Sequence, residues 1–188
     1  TTGIGEIQKK GISSNNISQD DVILVSRDIG AHGATIFAAR EGIKLTSALE
    51  SDCASLTLEV QALIDAGVRI TALRDATRGG VSAVLNEWAK QSNICIEVDE
   101  DKVPISEEVN GICEMLGFDA LSLANEGTFV LALKKEDEEK ALEVLNSKNA
   151  AKIANVTQQY LQKVVLHTSH GTKRFLETPT GELLPRIC

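Results

Sequence analysis

The sequence predicts an α+β domain in which helices and a β-sheet pack in layers. Some segments carry apolar residues at the three- to four-residue spacing of a helix, and others carry the short apolar runs or alternation typical of strands. Both kinds of segment are mixed along the chain, and the last third holds three short strand patterns joined by turns. This order fits either an α+β or an α/β layered arrangement that ends in a small antiparallel unit.

The first half of the chain predicts two strands and three helices. Residues 1–20 are polar and rich in Gly, Ser and Asn, so we expect them to be the remnant of a linker. The third helix has an apolar face of Val81, Val84, Leu85 and Trp88 at helical spacing. The strands are expected at residues 22–26 and 68–73, and the helices at residues 33–41, at residues 55–66 and after residue 80.

The second half predicts five strands and two helices. Gly117 is a C-terminal stop for the first of these helices, and His170-Gly171 is typical of a hairpin turn. We therefore expect a domain over residues 21–177, followed by a polar tail over residues 178–188. The strands are expected at residues 94–98, 128–133, 152–158, 163–168 and 172–177, and the helices at residues 107–116 and 136–146.

The composition argues against some classes of function. The 188 residues carry a formal net charge of −8, whereas binding to nucleic acid depends on Lys and Arg at the phosphates. No apolar stretch approaches the length that spans a bilayer, so no membrane contact is predicted. None of the four cysteines forms a C-x-x-C pair, so we expect no metal site and reduced thiols in the cytoplasm. Cys95 and Cys113 lie among apolar residues and are expected to be buried.

Two glycine-containing loops each lie between a predicted strand and a predicted helix. At residues 30–33 the glycines would let a ligand approach the backbone beside His32, although a plain turn also fits. At residues 75–80 the backbone N–H groups of a helix start and the Arg78 guanidinium are suited to a phosphate or carboxylate. An ordinary strand–helix connection with an internal ion pair is the alternative there.

A third segment and the C-terminus also carry candidate chemistry. Glu126, next to Asn125 between two apolar stretches, is either a surface turn residue or an inward-facing acid. Burial would raise its pKa and make it a competent general base. Cys188 ends the chain with no following residues to hold it in a core, so it is either a chance residue or a thiol on a tether.

Taken together, these segments resemble one family. They occur in the order found in HypE, the carbamoyl dehydratase of nickel–iron hydrogenase maturation, which belongs to the superfamily that includes aminoimidazole ribonucleotide synthetase. The resemblance runs from about residue 21 to residue 188. Its motifs here are Gly30-Ala31-His32-Gly33-Ala34, Ser51-Asp52-Cys53, Leu73-Arg74-Asp75-Ala76-Thr77-Arg78-Gly79-Gly80-Val81, Ala124-Asn125-Glu126-Gly127 and Pro185-Arg186-Ile187-Cys188.

The resemblance implies a fold and a set of partners. The chain would be the family's second domain, a layered α/β/α arrangement partly similar to ferredoxin-like topology, followed by the tail. A first domain outside this chain would bind most of the ATP and Mg²⁺ and form a homodimer contact, so the isolated chain is expected to bind ATP poorly. The carbamoyltransferase HypF would load Cys188, and the HypC–HypD complex would receive the cyano group for the hydrogenase iron.

The resemblance also implies roles for individual residues. Cys188 would carry the carbamoyl group, and Glu126 would take protons from its amide nitrogen as ATP-dependent dehydration leaves a thiocyanate. His32 is a further catalytic candidate. The residues expected to line the phosphate or carbamoyl side of the cleft are Asp75, Thr77, Arg78, Gly79 and Gly80.

The chain departs from the family pattern in one loop. Ala31 stands where the family usually has an acid, and Arg27 and Asp28 replace its usual small residues. His32 therefore has no acid directly before it, and Asp28 is the nearby carboxylate that could compensate.

Two other interpretations fit part of the sequence. The chain could be a non-catalytic carrier and docking module that presents Cys188 to partners while all catalysis takes place elsewhere. It could also belong to another synthetase of the superfamily, such as a purine-pathway ligase, although such an enzyme has no use for a C-terminal thiol.

Overall fold

Seven strands in the described part of the chain form one sheet. The computed structural model describes residues 4–7, 9–43, 49–145 and 149–178. The strands are β1 Asp21–Val25, β2 Ile70–Asp75, β3 Cys95–Asp99, β4 Phe129–Lys134, β5 Ala151–Thr157, β6 Lys163–His167 and β7 Lys173–Phe175. Their order in the sheet is β2-β4-β1-β5-β3-β6-β7. Neighbouring strands are antiparallel, except that β3 and β6 run parallel.

Helices cover both faces of this sheet. They are α1 Ala31–Arg40, α2 Thr57–Asp65, α3 Gly80–Gln91, α4 Glu107–Leu116 and α5 Glu138–Leu145. Alternate residues of β1 point to opposite faces, because Ile23 and Val25 pack with α3 whereas Val22 and Leu24 pack with α2 and α5. The predicted layered α/β/α arrangement is therefore confirmed, with α1 and α4 packed together in a third apolar cluster.

Local capping explains where two of the helices begin and end. The Ser106 hydroxyl accepts a hydrogen bond from the Val109 N–H at 3.3 Å at the start of α4, and Gly117, with φ 71°, ends it at the predicted residue. Helix α3 starts after Gly79, which also has φ 71°, and buries the predicted apolar face that includes Trp88. In the part of the chain that the structure describes, no helix combines the length and the apolar character needed to cross a membrane.

The predicted antiparallel unit of the last third is only partly right. Strands β6 and β7 do form a hairpin, whose turn is closed by a 2.8 Å hydrogen bond from the Thr168 N–H to the Thr172 carbonyl. Gly171 lies in this turn with φ 77°. Strand β5, however, pairs with β1 and β3 rather than with β6. Strand β3, from the middle of the chain, lies between β5 and β6, and no local pattern encodes that pairing.

Part of the segment predicted as a linker is attached to the domain. The Ser13 N–H donates to the Thr71 carbonyl at 2.9 Å, and a short 3₁₀ helix follows at Ser14–Asn16. Ile17 is 4% exposed and belongs to the core. The packed structure therefore begins before residue 21, because burial of this apolar side chain holds the segment against the sheet.

The sheet has two ends that carry different residues. At one end, called the Asp75 end, β1 and β2 finish and β4 begins, because β4 is antiparallel to both neighbours. At the other, called the Asp21 end, β1 and β2 begin and β4 finishes at Lys134. The candidate site lies at the Asp75 end.

Candidate functional site

Three loops meet at the Asp75 end of the sheet. The chain leaves β1 after Val25, leaves β2 after Asp75 and enters β4 at Phe129, and these points are neighbours in the strand register. The sequence segments singled out before as separate candidates are therefore brought together. The loops that lie side by side are residues 26–33, 76–80 and 121–128.

Asn125 holds these three loops together. Its side chain is 0% exposed, and its Oδ1 accepts a hydrogen bond from the Gly30 N–H at 2.7 Å. Its Nδ2 donates to the carbonyls of Ala76 at 3.1 Å and Leu123 at 3.0 Å. All three bonds are to backbone groups, so a buried amide replaces pairings that the loops cannot make with one another. The only sequence signal for this role was a polar residue inside an apolar stretch.

Two glycines allow the loops to approach one another closely. Gly80 has φ 60°, and a Cβ there would lie 2.4 Å from the Leu123 carbonyl oxygen. A Cβ on Gly33 would lie 3.0 Å from the Ala124 nitrogen, and the Gly33 N–H donates to the Ala124 carbonyl at 3.0 Å. Packing between the loops therefore requires glycine at both positions, whether or not a ligand approaches them.

Asp52 orders the backbone on both sides of Glu126. Its Oδ1 accepts a hydrogen bond from the Glu126 N–H at 3.0 Å, and its Oδ2 accepts from the Gly127 N–H at 3.0 Å. The Thr128 hydroxyl also donates to Oδ2 at 2.9 Å. Gly127 is required for this fit, since a Cβ there would lie 1.8 Å from the Asp52 carbonyl oxygen. In the sequence, Asp52 is notable only as part of the motif Ser51-Asp52-Cys53, and no role is predicted for it.

His32 is connected to the same structure through Ser51. Its Nδ1 lies 2.9 Å from the Ser51 hydroxyl oxygen, which also accepts a hydrogen bond from the Cys53 N–H at 3.2 Å. His32 is half-buried near the start of α1, and Cys53 is exposed. Residues 51–53 thus join the loop of His32 to the segment that carries Glu126.

Of the two alternatives for Glu126, the structure shows the surface residue and not the inward-facing acid. Its side chain is exposed, whereas Asn125 before it and Gly127 after it are buried. The alternation explains the difference, because turning Asn125 into the interior turns its neighbour outward. The carboxylate faces solvent on a backbone that Asp52 fixes. Its availability as a base therefore comes from exposure and positioning, not from burial.

Asp75 and Arg78 are exposed beside the N-terminus of α3. Within the described residues neither forms an ion pair or a side-chain hydrogen bond, whereas Arg74 pairs with Glu87 of α3. A guanidinium without a partner next to a helix N-terminus is suited to an anion such as a phosphate. The half-buried residues of the same loop are Thr77 and Gly79.

The cysteines differ in accessibility. Cys95 and Cys113 are buried, as predicted, and burial raises the pKa of the Cys113 thiol to about 11. Among the described residues Cys53 is the exposed thiol. Cys188 and the expectation of an extended tail from residue 179 lie outside the described residues.

A metal site is not formed by the described residues alone. No three His, Cys, Asp or Glu side chains among them lie close enough together to hold an ion. Ala31, the position at which the resemblance led us to expect an acid, is the first residue of α1. Asp28 is engaged elsewhere, because its Oδ2 accepts a hydrogen bond from the Asn149 amide at 3.1 Å.

Comparison with known proteins agrees with this arrangement. Residues 18–167 match the family model described as AIR synthase related protein, C-terminal domain. The chain belongs to this family. Carbamoyl dehydratase HypE of Escherichia coli strain K12 is 44% identical over 194 aligned positions, and the alignment covers 100% of this chain and 56% of that protein. HypE of Rhodobacter capsulatus is 36% identical over 193 aligned positions, and the alignment covers 100% of this chain and 57% of that protein.

Solved structures give the same result. A crystal structure of hydrogenase maturation protein HypE superposes with a TM-score of 0.91 at 38% identity, covering 97% of this chain and 60% of that one. HypE in complex with ATP has a TM-score of 0.89 at 38% identity, with coverages of 94% and 55%. A HypE–HypF complex has a TM-score of 0.84 at 37% identity, with coverages of 89% and 56%. The resemblance to HypE is thus confirmed, and the chain spans little more than half the length of these relatives.

Proposed function

We propose that this chain is the C-terminal part of an ATP-dependent carbamoyl dehydratase that acts on its own C-terminal cysteine. The product would be a thiocyanate on Cys188, which supplies a cyanide ligand for the iron of nickel–iron hydrogenases. The observation that carries the proposal is the exposed Glu126 carboxylate on a backbone fixed by Asp52, beside a loop suited to phosphate. The similarity of this chain to proteins named carbamoyl dehydratase HypE supports the dehydration of a carbamoyl group.

The proposed reaction removes the elements of water from an S-carbamoyl group. The amide oxygen takes the γ-phosphoryl group of ATP, and ADP leaves. Two protons then leave the nitrogen, the carbon–oxygen bond breaks and the oxygen departs with phosphate. The sulfur–carbon bond is kept, so a nitrile remains on the Cys188 sulfur. The protein must therefore supply a base at the nitrogen and positive charge at the departing phosphate.

Glu126 is proposed as the base. Its carboxylate is exposed to an incoming substrate, and the hydrogen bonds from two successive N–H groups to Asp52 prevent the backbone beneath it from moving away. A base held in place in this way contributes typically 10²–10⁴-fold to a proton transfer. His32 is kept as a second candidate, because Ser51 fixes its ring in the same cluster.

The loop at residues 75–80 is proposed to hold the negatively charged group. Arg78 offers a guanidinium that is unpaired within the described residues, and the N-terminus of α3 adds the partial positive charge of a helix start. Thr77, Gly79 and Gly80 shape this side, with Asp75 at its edge. From the resemblance to HypE, we assign most contacts to ATP and Mg²⁺ to a first domain outside this chain.

The proposal includes partners. This chain matches a chain of a HypE–HypF complex with a TM-score of 0.84, which supports HypF as a partner. We propose that HypF is the carbamoyltransferase that loads Cys188. Delivery of the cyano group to a HypC–HypD complex, a homodimer of the full-length protein and a cytoplasmic location are predictions from the family resemblance.

The alternative is a carrier that presents Cys188 while catalysis occurs elsewhere. Mass spectrometry of the tail separates the two hypotheses, using the full-length protein after carbamoylation by HypF. We expect ATP to convert the carbamoyl adduct on Cys188 to one that has lost the mass of water, with one ADP formed per conversion. A carbamoyl adduct that persists with ATP would support the carrier and contradict the dehydratase.

A further inference from the structure

The chain that follows the last strand is hydrogen-bonded to α3. The Leu176 carbonyl accepts a hydrogen bond from the Asn86 amide at 3.0 Å, and the Glu177 carbonyl accepts one from the Ser82 hydroxyl at 3.0 Å. Asn86 also donates to the backbone carbonyl of Ser82 at 2.9 Å, so its amide joins α3 to the carbonyl of Leu176.

The two bonds show the direction in which the chain runs. Ser82 lies four residues, one helical turn, nearer to the N-terminus of α3 than Asn86. In passing from Leu176 to Glu177 the chain therefore advances toward the start of the helix. That start is Gly79 and Gly80, at the loop proposed to hold phosphate.

We call the segment Leu176–Glu177, with its hydrogen bonds to α3, the anchor, and the residues that form it are largely buried. Ser82 and Asn86 are 0% and 6% exposed, and Leu176 is 4% exposed within the core. The Leu176 N–H donates to the Val164 carbonyl of β6 at 2.9 Å. Glu177, by contrast, has an exposed side chain. Two polar side chains buried on the core side of α3 thus have the chain that leads to the tail as their partner, which is the kind of pairing a buried polar group requires.

We propose that Ser82 and Asn86 are positioning residues that aim the C-terminal segment at the Asp75 end of the sheet. The inference rests on the proposed function, in which Cys188 must reach Glu126. The ten residues after Thr178 span at most about 33–36 Å when extended, so the position and direction of the anchor decide what the thiol can reach. Fixing the anchor raises the effective concentration of Cys188 at the site.

The first test measures the reach of the tail without any catalysis. In the full-length protein, Cys53 is an exposed thiol linked to the Glu126 segment through its neighbours Ser51 and Asp52. Its rate of disulfide formation with Cys188 under a mild oxidant reports arrival of the tail. We expect Ser82→Ala and Asn86→Leu each to lower this rate roughly 3–10-fold, the range for losing one or two hydrogen bonds.

A matched control comes from the other end of the same helix. Ser92 is the C-terminal cap residue of α3, and its hydroxyl donates to the Ser14 carbonyl, away from the tail. Ser92→Ala removes the same kind of bond and should leave the disulfide rate within twofold. Ser82→Ala only shortens a buried side chain, so the test stands even where Asn86→Leu does not fold.

The second readout is single-turnover dehydration of carbamoylated Cys188. We expect the same 3–10-fold fall in Ser82→Ala, with unchanged loading by HypF and unchanged ATP affinity. Three results would overturn the positioning role of Ser82 and Asn86. They are wild-type disulfide rates in both variants, an equal loss of rate in Ser92→Ala, or no Cys53–Cys188 disulfide in the wild type. If disulfide formation is slower in the variants but the wild type never dehydrates its carbamoyl adduct, the positioning role is supported and the proposed dehydratase activity is contradicted.

Discussion

At the Asp21 end of the sheet two buried carboxylates are paired with cations, whereas at the Asp75 end three charged side chains lie exposed and form no ion pair within the described residues. Asp21 is 1% exposed, and its Oδ1 lies 2.7 Å from the Lys134 ammonium. The Asp137 Oδ2 lies 2.7 Å from the Arg69 Nε. At the other end Asp75, Arg78 and Glu126 are exposed. These are the residues for which we propose contacts with substrate.

The comparison separates charge used for stability from charge available for chemistry. The side-chain hydrogen bond from Arg69, opposed by desolvation, lowers the pKa of the Asp137 carboxyl to about 2. At the Asp75 end, the buried Asn125 amide and the half-buried Asp52 carboxylate bind backbone groups instead. Rigid backbone beneath unpaired side chains is what a catalytic site requires, because positioning costs nothing at the moment of reaction.

The largest expected effect is that of Glu126→Gln, which keeps the shape of the side chain and removes its basicity. In the full-length protein Cys188 should still accept carbamoyl, while dehydration slows on the order of 10²–10⁴-fold. Quenched-flow mass spectrometry of the tail measures both steps. The control is Glu136→Gln, which changes a 72% exposed carboxylate at the Asp21 end and should leave the rate unchanged. Dehydration at the wild-type rate in Glu126→Gln would make Glu126 a turn residue and move the search to Asp75 or His32.

The second effect concerns the fixed backbone under Glu126. Gly127→Ala places a Cβ where the Asp52 carbonyl oxygen now lies, 1.8 Å away, so residues 51–53 must shift. We expect a loss of about 1–3 kcal/mol in the free energy of unfolding, together with slower dehydration. The control is Gly111→Ala inside α4, where nothing lies within 4 Å of the added Cβ. That change should stabilise the protein by roughly 0.5–1 kcal/mol. Equal stability of the two variants in urea titrations would contradict the close packing described.

The third and smallest effect concerns the paired end. The pKa of Asp137 is lowered from its ordinary value of 3.8 to about 2, so the native state favours the ionised carboxylate. Its stabilisation is present above the unfolded-state pKa and is lost as the pH falls toward the folded-state value. Asp137→Asn should therefore cost about 1–2 kcal/mol near neutral pH, and its difference from the wild type should shrink as the pH falls from 3.8 toward 2. A difference that does not change over this range would show that Asp137 does not act through its charge.

The elements of the fold could be predicted because local patterns encode them. Helix α4 follows from a serine cap and a glycine stop, and the apolar face of α3 follows from its spacing. The position of β3 between β5 and β6 could not be predicted, because the partner of a strand depends on residues far away in the chain. In the candidate site, the motifs singled out Glu126 and Arg78 as candidates, and their roles stay predictions. The roles of Asn125 and Asp52 required coordinates, since each bridges residues 49 to 95 positions apart.

One matched pair of variants tests the division of charge between the two ends most directly. Arg78→Ala and Arg69→Ala remove the same group from the Asp75 end and from the Asp21 end. For each variant of the full-length protein we would measure the urea midpoint of unfolding and the single-turnover dehydration rate of carbamoylated Cys188. We predict that Arg78→Ala lowers the rate roughly 10–100-fold, as expected for a charged hydrogen bond, and leaves the midpoint unchanged. Arg69→Ala should lower the midpoint and leave the rate unchanged. A fall in midpoint without a loss of rate in Arg78→Ala would contradict the account.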